Sequence, residues 1–108
     1  MFVIPKLIFN PKEEVMLFFV KVRIDLSKMK ELGERMQNGG FEAHPKMTYC
    51  LKDDPSVGLN LWEAESREDF ERKFAPHREF YAEVFEVTPV ITAVEAQQEL
   101  MRRMAASR

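Results

Sequence analysis

The sequence predicts an α+β domain built on one antiparallel sheet, and three observations carry that prediction. Residues Phe18 to Asp25 alternate with a period of two, the signature of a strand with two unlike faces. Ser66-Arg67-Glu68-Asp69 and Thr92-Ala93-Val94-Glu95 read as capping boxes that open helices. Turn and breaker residues divide the remaining apolar runs into the order β-α-β-β-α-β with a helix after it. With 108 residues, 45% of them hydrophobic and 31% charged, the chain has room for one core and too little for two ordinary domains.

The elements follow in order. In the first strand Phe18, Val20, Val22 and Ile24 share one face, and Leu17, Phe19, Lys21 and Arg23 share the other. Ser27 then offers an N-cap to a short helix whose Met29, Leu32 and Met36 fall at helical spacing, and Asn38-Gly39-Gly40 supplies its stop. His44-Pro45 reads as an extended or turn pair, because proline disfavours the helical region for the residue before it. A second strand runs through Met47, Tyr49 and Leu51, a turn spans Lys52 to Ser56, and a third strand covers roughly Val57 to Glu63. In the third strand Leu59 and Leu61 take one face, and Asn60 and Trp62 the other.

The second helix begins after Ser66 with Phe70 and Phe74 four apart, and Pro76, lacking an N–H, is expected to break or restart it. The fourth strand is expected over Val84 to Val87 or a little beyond, ended by Thr88-Pro89, and the last helix over Ala93 to about Met104. The apolar stripe of that last helix is thin, which suits packing on a neighbour's surface better than forming a core.

Composition removes several function classes. A net charge of −2 gives no electrostatic footprint for nucleic acid, and the third strand, "VGLNLWEA", lacks the basic-Gly-aromatic pattern of an RNA-reading sheet. Cys50 is the one cysteine, so neither an internal disulfide nor a Cys-x-x-Cys pair can form, and a reducing, cytoplasmic setting is expected. Pro5, Lys6 and Pro11 interrupt the apolar N-terminus, which reads as neither a signal peptide nor a membrane span. No His-x-x-x-His pair or dense acid cluster marks a metal site, and no cofactor motif is present.

The order β-α-β-β-α-β is the split βαβ, or ferredoxin-like, arrangement. Its two helices can cover one face of the sheet, leaving a second face on the order of 350 Å² in plane. Leu17, Phe19, Tyr49 and Trp62 are expected to populate it, an apolar patch of the size that marks a binding surface. The simplest cover is a second copy of the same sheet, hence a homodimer.

The stretches "MLFFVKVRIDL", "LNLWEAES" and "FYAEVFEVTPVITAVEA" resemble the dimeric α/β-barrel group, in which two ferredoxin-like sheets face each other across a shared interior. They are most similar to short uncharacterised microbial members whose fourth strand reads close to "FEVxPV", and the opening is also similar to that of muconolactone isomerases. The resemblance covers about residues 16 to 96. It implies a dimeric barrel, with residues 16–108 as the domain and 1–15 as an extension: an added strand, an exchanged arm or a product of start-site choice.

If the helices cover Phe18, Val20, Val22 and Ile24, then Lys21 and Arg23 point onto the open face. Asn60 and Trp62 are expected there too, with either Tyr49 or Cys50 and either Phe85 or Glu86, according to register. A cleft with aromatic walls and two cations suits a small, partly apolar organic acid, with Lys21, Arg23, Tyr49, Asn60, Trp62 and Glu86 as its ligand-binding set. The competing reading has Lys21 and Arg23 paired with acids such as Glu63 or Glu86 across strands or subunits. Lys21, His44 and His77 are the candidates for acid–base or nucleophilic work, set against a reading of both histidines as exposed loop residues. Two functions therefore stand: a homodimer that binds an organic acid, with isomerase-like chemistry as its candidate reaction, and a dimeric interaction module without chemistry.

Overall fold

The computed structural model describes residues 15–106. The expectation for residues 1–15 lies outside that range, Val15 excepted. Four strands, β1 (Met16–Ile24), β2 (Met47–Cys50), β3 (Val57–Ala64) and β4 (Tyr81–Val90), form one sheet in the order β2-β3-β1-β4. Every neighbouring pair is antiparallel. Helices α1 (Met29–Gln37) and α2 (Arg67–Arg78) follow β1 and β3, and α3 (Ala93–Ala106) follows β4. This α+β topology is compatible with the ferredoxin-like arrangement.

The alternation in β1 becomes a division of environments. Phe18, Val20 and Val22 are at most 1% exposed under the helices, while Lys21 and Arg23 project from the opposite face with Phe19. The core beneath α2 is a set of aromatic rings. Phe18 stacks on Phe70 at 4.6 Å, Phe70 on Phe74 at 5.2 Å and Phe74 on Tyr81 at 5.8 Å. Trp62 meets Phe70 and Phe74 edge-on. Rings in offset or edge-to-face contact add attraction beyond the area they bury, so the part of the sheet beneath α2 is firmly closed.

Two helix starts form where the capping signatures place them. Ser66 Oγ accepts the Asp69 N–H at 3.0 Å, although the return bond from Asp69 takes the N–H of Glu65 rather than that of Ser66. Thr92 and Glu95 exchange both bonds of a capping box. The first helix departs from expectation. Asp25, not Ser27, is the capping residue, accepting the Ser27 N–H at 3.0 Å and opening a 3-10 turn (Leu26–Lys28) ahead of α1.

Three further expectations are corrected. Pro76 does not break α2, which runs on to Arg78; proline forfeits one bond, to the carbonyl four residues before it, and with only two helical residues after it the rest of the helix is undisturbed. Strand β4 passes through Thr88-Pro89 to Val90, because an edge strand tolerates a residue that cannot donate. Most consequential, Asn60 and Trp62 lie on the helix-covered face. Phe18 stands opposite Trp62 and Val20 opposite Asn60, so β3 turns Leu59 and Leu61, rather than Asn60 and Trp62, toward the open side. Trp62 is 0% exposed and belongs to the core, where its Nε1 has no hydrogen-bond partner among the described residues.

Candidate functional site

Two surfaces of the sheet compete for the role of site, and their chemistry differs. On the open face Lys21 stands opposite Glu86 and Leu59, and Tyr49 pairs with Leu59, so Tyr49 and Glu86 do share the face of the two cations. A register shift between Lys21 and Val22 also brings Phe85 there, its ring 5.7 Å from Lys21 Nζ and 5.4 Å from Arg23 Cζ. Arg23 is engaged already: its guanidinium bonds Asp54 at 3.1 Å and Ser56 Oγ at 3.0 Å. The acid partner is thus Asp54 of the turn, not Glu63 or Glu86. Glu63 pairs instead with Lys46 at 2.8 Å, and Glu86 accepts the Thr88 hydroxyl.

The other surface lies under α1. Where α2 buries Phe70, Phe74 and His77, α1 buries no residue within the described chain. Leu32 and Met36 stand off the sheet and roof a cleft of about 290 Å³. Its floor is Ile24, Thr48, Asn60 and Tyr81 from the sheet, and its sides are Phe41, His44, Pro45, His77 and Phe80. An apolar hollow of this size with a few convergent polar groups is the common form of a small-molecule site.

The end wall of the cleft is built from the turn after α1. Gly39 and Gly40 adopt φ of +105° and +65°, a left-handed conformation that favours glycine, and send the chain back beneath the helix. Phe41 is thereby stacked on His77 at 3.9 Å, with the Arg35 guanidinium 4.6 Å from its ring centre. His77 also meets Trp62 edge-on at 4.9 Å. The His77 Nε2–H donates to the Ala43 carbonyl at 2.7 Å, which leaves Nδ1 as an acceptor. Burial pushes the His77 pKa below the ordinary imidazole value, with nearby His44 and Arg35 adding to the effect.

Asn60, 3% exposed, donates from Nδ2 to the Tyr81 hydroxyl at 3.5 Å. Burial raises the Tyr81 pKa, so its phenol stays protonated and neutral. His44 sits at the mouth with its ring 6.2 Å from that of His77. The cleft therefore gathers hydrogen-bonding groups on aromatic walls, and none of its lining residues is a lysine or arginine.

Sequence reasoning placed His44, His77 and Asn60 among the candidates but not on this surface. The structure brings those three together, with Tyr81 and Thr48, and separates them by the thickness of the sheet from Lys21, Arg23, Tyr49 and Glu86. His77 is a buried helix residue rather than an exposed loop residue. Tyr81, Thr48 and Phe41 were missed. The available signal was a polar asparagine in mid-strand with an aromatic hydroxyl at the start of the strand two places along.

Among the described residues no cluster of three or more His, Cys, Asp or Glu side chains could hold a metal ion, and no helix is long and apolar enough to cross a membrane. No protein-family model, curated protein or solved structure matches the chain.

Proposed function

We propose that this chain is a homodimeric member of the dimeric α/β-barrel type that binds a small, planar, partly apolar organic molecule in the cleft under α1. One observation carries the reading: Asn60, Tyr81 and His77, three polar groups of low exposure, line one hollow whose other walls are apolar and aromatic. Groups of this kind recognise hydroxyl and carbonyl oxygens. A fully ionised carboxylate would find no cation on the lining, so the organic acid suggested by the cations of β1 gives way to a neutral or enolic ligand. Isomerase-like chemistry is accessible in outline, because Tyr81 holds a proton and His77 Nδ1 can accept one.

The open sheet face supplies the dimer. Leu17, Phe19, Leu59 and Leu61 are half-buried there, with Tyr49 at 64% and Phe85 at 40% exposed, and a second identical face is the simplest cover. The same face supports the second reading, an interaction module without chemistry.

Titration with 2-naphthol, followed by Trp62 fluorescence and by calorimetry, tests the site. Saturable binding is expected, weakened at least about tenfold in Asn60→Leu and unchanged in Lys21→Met/Arg23→Met. The opposite pattern would move the ligand to the space between sheets, and no binding of any small hydroxyaromatic would leave the module reading.

A further inference from the structure

Helix α3 is well started and poorly housed. Its capping box is complete, and Glu99 pairs with both Arg102 and Arg103 along one side. Yet none of its 14 residues is buried within the described chain, and Val94, Leu100 and Met101 are 63%, 57% and 62% exposed. Helices shorter than about 12–15 residues are marginal in water without tertiary packing, so a helix of this length needs a surface. The apolar residues provide one half of it: Ala93, Ala96 and Leu100 recur at i, i+3 and i+7, with Val94 and Met101 beside them. Glu95, Glu99, Arg102 and Arg103 take the other side and sum to zero charge, unlike the basic face of a helix made for an anionic bilayer.

We propose that α3 docks on a second copy of this chain, against the rim of that copy's open sheet face, so that the two copies exchange helices. The inference rests on the face-to-face dimer proposed above. The area argues for it: a stable interface takes roughly 800 Å² from each partner, and the sheet face offers on the order of 350 Å² in plane. A helix about 21 Å long and about 10 Å wide covers on the order of 200 Å². Giving one such helix and receiving another brings each copy close to the requirement.

Continuity argues for it too. A groove of about 530 Å³, lined by Leu17, Val90 and Ile91 and by the paired Lys46 and Glu63, runs from the open face to Thr92 and Glu95 in the first turn of α3, so the helix starts from the edge of that face.

The test is sedimentation velocity combined with amide hydrogen exchange on the full chain. The wild type should be a dimer at micromolar concentration with α3 amides protected, and the open-face variant Leu61→Glu should be a monomer in which α3 alone loses protection. Leu100→Glu/Met101→Glu should weaken the dimer at least about tenfold while the sheet amides stay protected. A wild-type dimer with unprotected α3, or one untouched by the double substitution, would overturn the exchange and leave the face-to-face dimer standing. A monomeric wild type would overturn both. Protection of α3 in the monomeric variant would assign the helix to its own chain, and protection gained only on phosphatidylcholine vesicles would assign it to a bilayer; either result overturns the exchange.

Discussion

Helices α1 and α2 lie on the same side of one sheet and behave oppositely. Helix α2 opens on a side-chain cap from Ser66 and sinks Phe70 and Phe74 into a ring stack that reaches from Phe18 to Tyr81. Helix α1 opens on Lys28 without a side-chain cap, and its Leu32 and Met36 cover the sheet at a distance. The difference shows how a small domain keeps a core and a cavity on one face. Close packing under one helix supplies stability, and incomplete packing under the other leaves room for a ligand.

The sharpest test of that division is a matched pair of truncations. Phe70→Ala should cost about 3–5 kcal/mol in a denaturant titration, whereas Leu32→Ala should cost about 1 kcal/mol or less. Equal losses would mean that α1 belongs to the core as fully as α2. Next in size is the helix start: Ser66→Ala should remove about 1 kcal/mol, while Lys28→Ala, which takes away no side-chain cap, should be close to neutral by the same titration.

Two pH effects come last. Asp69, held at about pKa 2 chiefly by the Glu65 N–H and then by Arg72 and Lys73, is ionised more readily in the folded chain than in the unfolded one. Its contribution is present above about pH 4 and is lost as pH falls toward 2, a limb that Asp69→Asn should flatten. His77 works in the other sense. The unfolded imidazole protonates near pH 6.5 and the folded one only below that, so unfolding takes up a proton and stability declines as pH drops beneath about 6.5. Thermal melts between pH 5 and 7 should show a shallower slope in His77→Phe, which keeps a ring against Phe41 while losing the titrating group.

How much of this was legible in the sequence depended on whether a signal was local. The faces of β1 were readable because Phe18, Val20, Val22 and Ile24 leave one consistent solution, and the starts of α2 and α3 were readable from Ser66 and Thr92. In β3 both alternate sets, Leu59 with Leu61 and Asn60 with Trp62, can face a core. The choice is made by pairing with β1, where Val20 stands opposite Asn60, some forty residues away in the chain. The cleft was hidden for the same reason: it depends on how far α1 stands from the sheet, which the helical spacing of Met29, Leu32 and Met36 does not encode.

The two edges of the sheet carry a consequence of their own. Strand β2 is four residues long, and β4 is interrupted by shifts at Lys21/Val22 and Arg23/Ile24 and carries Pro89. A short edge and a bulged, proline-bearing edge are both poor templates for another strand. Growth by edge-to-edge addition, the route to fibres, is thus discouraged at each end, and an exposed apolar face can be carried by this sheet with less danger of polymerisation.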